Sequence, residues 1–189
     1  MIALELVRSA AELQTLFGGP ACSDSHAAGQ TAALWWDMLA FIPAYAAFLA
    51  LAALALRPAR RRLALAAMAV LLLAALLDEV EGMVLLALVA DWRNPPGLFA
   101  ALFATVRPKF ALLSLGELML AVLLVRGTWL ASIAAVPVAA GAMLSLYLLF
   151  ANPRAPLMME GHRYAWTALL IVALLASARP ALVIKPEPV

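Results

Sequence analysis

The sequence predicts an all-α protein, a polytopic membrane helix bundle of about five transmembrane helices preceded by an N-terminal amphipathic helix. Three observations lead there. Of its 189 residues 67% are hydrophobic and only 13% charged, with a mean hydropathy of +1.00, and a soluble fold of that size would leave too much apolar surface in water. The apolar residues fall in runs that match a hydrocarbon core of about 30 Å, which takes about 20 helical residues to cross. Finally, Trp35, Trp36, Trp92, Trp129 and Trp166 all fall near the ends of those runs, as in an aromatic belt at the two membrane faces and unlike a cofactor box.

The first segment, "MIALELVRSAAELQTLFGGP", contains Glu5 and Glu12 and lacks an unbroken apolar core, which argues against a secretory signal. Leu4, Val7, Ala10, Ala11, Leu13 and Phe17 recur at roughly helical spacing, and Ser9 with Glu12 forms a capping-box pattern. An amphipathic helix on the membrane or against the bundle is expected, followed by a small-residue polar linker over residues 18–30. Residues 1–30 therefore form one region and residues 31–189 the transmembrane bundle. Within the bundle the apolar runs cover residues 33–56, 63–90, 98–125, 128–151 and 165–184. The second and third exceed the required length, so they tilt, project into the headgroups or break where their charges sit. In "VRPKF", Pro108 removes a backbone donor and disfavours helix at Arg107. This leaves two forms open for residues 97–125: one tilted span, or a half-helix over 97–106 and a span from about Pro108. No convincing internal repeat is present, so an inverted-repeat transporter is not supported.

Orientation follows from "RPARRR", where Arg57, Arg60, Arg61 and Arg62 form the densest basic cluster in a short loop, and such loops stay cytoplasmic. Arg126 and Lys185 fall on the same side, with Arg93, Arg154 and Arg163 opposing more weakly. The expected location is the plasma (inner) membrane, multi-pass, with the N-terminus outside and the C-terminus cytoplasmic.

Five charged residues of both signs, Asp37, Asp78, Glu81, Arg107 and Lys109, fall inside the apolar runs at a similar level. At about 1.5 Å per residue from Arg62, Asp78 lies roughly 24 Å from the cytoplasmic edge, toward the outer face. Charges at that depth face other helices or a wet cavity. Asp78 and Glu81 are three residues apart and share a helix face, whereas Glu79 points about 100° away. In "WWDMLAFIPAY", Asp37, Phe41 and Tyr45 stack at intervals of four, with Pro43 able to loosen the hydrogen bonds between them. Lys109, Leu113 and Glu117 continue one stripe, which makes Lys109 the expected partner of Asp78 and Glu81 and turns Arg107 toward the headgroups. The intramembrane charge cluster thus comprises Asp37, Tyr45, Asp78, Glu81, Arg107 and Lys109. Glu160, His162 and Arg163 in "MMEGHRYAW" are candidates for its rim, with His162 expected to be a solvated interfacial residue and Arg179 to snorkel.

Other chemistries are poorly served. Cys22 is the only cysteine, so there is neither an internal disulfide nor a thiolate metal site. His26, Cys22 and Asp24 make at best a weak ligand set, and no metal and no cofactor are expected. Zinc-protease, nucleophile-elbow and phosphate-loop signatures are missing. With His26 and His162 both outside the predicted spans, a bis-histidine haem is implausible. A net charge of +2 with scattered arginines does not suit nucleic acid. Membrane lipids are the expected partners, with room for a protein partner within the membrane.

The series "LELVRSAAELQ", "LWWDMLAFIPAYAAFL", "LLDEVEGMVLL" and "FATVRPKFALL" resembles a group of small, uncharacterised bacterial multipass membrane proteins. Their pattern is an aspartate before a Phe and Tyr segment, an Asp-x-x-Glu in the next helix and a lysine opening a later one. The resemblance covers roughly residues 3–125 and implies that Asp37, Tyr45, Asp78, Glu81 and Lys109 form a linked set; it implies no activity. Glu81 is followed here by Gly82, where members of the group often carry Asn. Two function classes stand open. One is a non-enzymatic scaffold, partner subunit, or small-solute or proton carrier. The other is a small membrane enzyme acting on a lipid or isoprenoid through paired carboxylates.

Overall fold

A chain this apolar must satisfy its backbone polar groups within each segment, which favours helices. The computed structural model describes residues 2–18, 23–57 and 60–183, and all its regular elements are helical. They are α1 (Ile2–Glu5), α2 (Ala10–Phe17), α3 (Ser23–Trp36), a π-helical stretch (Asp37–Phe41), α4 (Ile42–Ala55), α5 (Arg61–Ala90), α6 (Phe99–Val125), α7 (Trp129–Ala151), α8 (Pro156–Ala178) and a 3-10 turn (Pro180–Leu182). Among the described residues, four stretches are long and apolar enough to cross a membrane: Asp24–Ala55, Arg61–Ala90, Phe99–Val125 and Trp129–Ala151. Cys22, Lys185, and Pro58 and Ala59 of the basic loop lie outside the described residues.

The sequence-based boundaries need three corrections, and one open alternative is decided. The expected N-terminal helix is interrupted, because Ser9 is an N-cap with extended backbone (φ −152°, ψ 161°), and a chain cannot run helically through its own cap. Ser9 Oγ accepts from the Glu12 amide at 3.2 Å, while Glu12 Oε2 accepts from the Arg8 amide at 2.9 Å. The polar linker over 18–30 is helical from Ser23 onward, with Asp24 placed in the first turn where it complements the helix dipole. Of the two forms left open at "VRPKF", the unbroken helix is found: α6 runs through Pro108 from Phe99 to Val125. Finally, the last helix begins at Pro156 instead of residue 165 and ends at Ala178. Proline is pre-organised for the first helical position, so α8 takes in "MMEGHRY", which the sequence reading left outside a span.

Pro43 has the local effect its chemistry dictates. Lacking an N–H, it cannot bond the carbonyl four residues back, and the preceding turn widens, with the Ile42 amide donating to the Asp37 carbonyl five residues earlier. Asp37 opens this π turn, which leads directly into α4.

The chain divides into two compact units, Met1–Tyr45 with Ala74–Lys109, and Ala46–Leu73 with Phe110–Val189. The first buries Leu4, Leu6, Val7, Leu13 and Phe17 of the N-terminal segment along with Leu85, Leu88, Leu102 and Val106 of α5 and α6. Phe17 meets Trp92 with ring centroids 5.4 Å apart, and Gln14 Nε2 donates to the Arg93 carbonyl at 2.8 Å. Gly82 lets α5 approach the π stretch, since a methyl there would fall 2.7 Å from Met38 Cγ.

The second unit is organised by small residues. Where α7 and α8 pack, Gly141 and Gly161 bring the two backbones together so closely that a methyl on Gly141 would strike the Gly161 carbonyl. Ser145 Oγ donates to the Met158 carbonyl at 2.6 Å, and Ala131, Ala135, Ala142 and Ala165 are buried on the same faces. This is the small-residue packing that lets apolar helices associate by close contact without a hydrophobic driving force. The outer surfaces stay apolar: Trp36 is 75% exposed, Leu39 72% and Trp129 74%.

Candidate functional site

In the first unit, Lys109 of α6 is nearly fully buried, and its ammonium is surrounded by carboxylates. Nζ lies 2.7 Å from Glu81 Oε2, 3.0 Å from Asp78 Oδ1 and 3.2 Å from Glu5 Oε2. Asp78 and Glu81 come from one face of α5, and Glu5 ends the single turn α1. Tyr45 of α4 closes the second oxygen of Asp78, donating its hydroxyl to Oδ2 at 2.7 Å. The phenol is itself buried and packs against Phe41, with centroids 5.5 Å apart. Asp37 is partly exposed and within electrostatic reach of Asp78, Glu5 and Lys109.

Tyr45, Asp78, Glu81 and Lys109 are thus brought together as direct neighbours, with Asp37 close by. Arg107 does not join them. Its guanidinium carbon lies 4.6 Å from the Phe103 ring centroid, one helical turn away, and Arg8 lies at the same distance from that ring. The stacked plane of a guanidinium suits an aromatic face, so Phe103 gives each of the two guanidinium groups a ring to lie against. Sequence reasoning missed Glu5. It used that residue only as an argument against a leader, and nothing in the spacing of "LELVRS" distinguishes a buried Glu5 from an exposed one.

The expected rim separates into unlike parts. Glu160 and Arg163 form an exposed pair at 3.2 Å, of the kind worth little to stability. His162 is the correction: it is no solvated interfacial residue but a buried one, 1% exposed, because the early start of α8 carries it into the second unit. Its Nδ1 lies 2.9 Å from Glu117 Oε1 and 3.0 Å from Oε2. Trp166, four residues along α8, donates Nε1–H to Glu117 Oε1 at 2.6 Å, and Phe110 stacks on the imidazole with centroids 5.8 Å apart. Glu117 therefore does not follow Lys109 into the acidic cluster. The i, i+4 spacing of His162 and Trp166 was the available signal for this second group.

Among the described residues, no three His, Cys, Asp or Glu side chains are arranged to hold a metal ion. What the Lys109 site offers is an imbalance: three carboxylates touch one ammonium, with a fourth nearby, in a setting where uncompensated charge is costly. Compared with protein-family models, curated proteins and solved structures, the chain matches none.

Proposed function

We propose that this chain is an integral membrane protein whose cluster around Lys109 takes up and releases a proton. In this reading α8 is the fifth span, the N-terminal helices pack at the outer face, and the protein sits in the plasma (inner) membrane with its C-terminus in the cytoplasm. The exposed apolar faces lie against lipid.

The observation that carries the proposal is the ratio at Lys109. A structural lock needs only matched charges, and one Lys with one carboxylate would supply it. Glu5, Asp78 and Glu81 together exceed what Lys109 neutralises, so charge balance inside the bundle calls for a proton on one carboxyl. Carboxylates crowded on one site share protons as a coupled group, and such groups within membranes serve as proton relays. Tyr45, bonded to Asp78, gives the shared proton a hydroxyl neighbour.

Infrared difference spectra of the full chain in lipid nanodiscs, recorded while pH is stepped, test this. A carbonyl band of a protonated carboxyl in an apolar setting is expected to titrate, and to change in Glu81→Gln and Asp78→Asn. A cluster whose carboxylates keep one protonation state across the pH range in which the fold persists would be a fixed ion lock, and the proposal would fail. Orientation is tested separately with an impermeant thiol reagent on intact cells, using single cysteines at Ala28 and Ala59 with Cys22 replaced. Labelling at 28 and not at 59 is expected; the reverse would invert the topology.

A further inference from the structure

The second unit holds a buried polar group that the Lys109 cluster does not use. Trp166 Nε1–H donates to Glu117, and toward an ionised Glu117 the Nδ1 of His162, 2.9 Å from Oε1, is the donor as well, so that a neutral imidazole paired with it carries its proton on Nδ1 and presents a lone pair at Nε2. That Nε2 is fully buried and bonds to nothing, and the same is true of the hydroxyl of Ser114, a residue with 0% exposure. Ser114 lies on α6 four residues after Phe110 and three before Glu117, hence on the same face as the two residues that touch the imidazole from above and beside it.

The behaviour of Ser114 is unusual for a helical hydroxyl. Thr31, Thr105, Thr167 and Ser177 each satisfy themselves by donating to the carbonyl four residues back, a local option open to any helical Ser or Thr. Ser114 does not take it. Two orphaned, fully buried polar atoms, one on the imidazole and one on the α6 face that also carries its partners Phe110 and Glu117, one an acceptor and one able both to donate and accept, are the kind of groups that an internal water joins.

We propose that a single water molecule is bound between His162 Nε2 and Ser114 Oγ, forming the chain Glu117, His162, water, Ser114. The water donates to Nε2 and exchanges a second bond with the hydroxyl. It also gives the imidazole an acceptor for Nε2–H should His162 gain a proton, so that protonation strands no donor. The polar groups of this network are then Glu117 and Ser114 from α6 and His162 and Trp166 from α8, and each is satisfied. The site stands independently of the proton chemistry proposed at Lys109.

The test is nitrogen-15 NMR of the full chain in nanodiscs with labelled histidine, assigned to His162 by comparison with His26→Gln. A neutral imidazole with its proton on Nδ1, a hydrogen-bonded Nε2 and a cross-peak from Nε2 to slowly exchanging water are expected. In Ser114→Ala the water cross-peak should fall roughly tenfold, as expected when one bonding partner of the water is lost, while the Nδ1 signal of the Glu117 bond persists. Ser114→Thr, which keeps the hydroxyl, should retain the peak. A parent protein without the water peak, a proton on Nε2 of the neutral ring, or a Ser114→Ala variant with the peak unchanged would each overturn the assignment, and the first two need no variant at Ser114.

Discussion

Replacing Lys109 with methionine keeps the length and apolar stem of the side chain and removes only its charge. The ammonium side chain is 5% exposed and its partners Glu81, Glu5 and Asp78 are 2%, 12% and 16% exposed, so little water is at hand to compensate the stranded carboxylates. Removing one member of a buried ion pair costs about 3–5 kcal/mol, which at about 1.4 kcal/mol per tenfold lowers the folded-to-unfolded ratio roughly a hundredfold to a few thousandfold. The carboxylates should behave differently. Glu81→Gln removes an attraction to Lys109 but also two repulsions, from Asp78 and Glu5, and it keeps a polar group near Nζ. The loss should stay below the roughly 1.5–3 kcal/mol typical of a hydrogen bond to a charged group. Because three carboxylates share the lysine, adding Asp78→Leu to Lys109→Met should recover only part of the loss, on the order of 1 kcal/mol of coupling. Reversible unfolding in mixed micelles, followed by circular dichroism, gives all four values. A Glu81→Gln variant as unstable as Lys109→Met, or a Lys109→Met variant within about 0.5 kcal/mol of the parent, as surface changes are, would refute the view that Lys109 is the hub of this cluster.

Three other substitutions probe the backbone. Gly141→Ala should destabilise by about 1–3 kcal/mol through overpacking against the Gly161 carbonyl, whereas Gly29→Ala, which meets no atom within 4 Å, should be neutral or gain up to about 1 kcal/mol of helix propensity; the same unfolding assay separates them, and equal losses would contradict the packing described for α7 and α8. Pro43→Ala restores the missing N–H, and carbon-13 shifts over Asp37–Phe41 should move to the α-helical pattern with the Tyr45 bond to Asp78 weakened; shifts unchanged from the parent would mean that the π turn does not depend on the proline.

Periodicity and length made the long helices legible, because a 3.6-residue repeat and a fixed hydrocarbon thickness act locally on any apolar run. The same local geometry put Asp78 and Glu81 on one face and Glu79 on another. Boundaries were read less well where two local rules competed. The capping pattern at Ser9 and Glu12 is visible in the sequence, but helical spacing runs straight through it, whereas the cap starts a new helix at Ala10. At the last span, hydropathy discounted "MMEGHRY" because of Glu160, His162 and Arg163, while Pro156 and the tight fit of Gly161 against α7 start the helix earlier. The partners of Glu5 and Glu117 were out of reach for a different reason. Glu5 meets Lys109 across 104 positions of sequence and Glu117 meets His162 across 45, and no spacing rule within a single helix encodes such encounters.

Helix α6 carries both Lys109 and Glu117, eight residues apart on what the sequence presents as one stripe, yet the two side chains serve polar groups of opposite balance. At Glu117 the donors of His162 and Trp166 meet the acceptor capacity of one carboxylate, and the remaining polar atoms, His162 Nε2 and Ser114 Oγ, are complementary to each other through one water. Such a group is stable without exchanging charge with its surroundings. At Lys109 no internal rearrangement of Glu5, Asp78, Glu81 and Tyr45 removes the surplus of carboxylate over cation; only a proton or another cation can. Burial raises the stakes in both places by the same physics, but it rigidifies the satisfied network and leaves the unbalanced one open to change. For that reason we propose the exchange of a proton for Lys109 and its carboxylates, and a bound water, held in place, for His162 and Ser114.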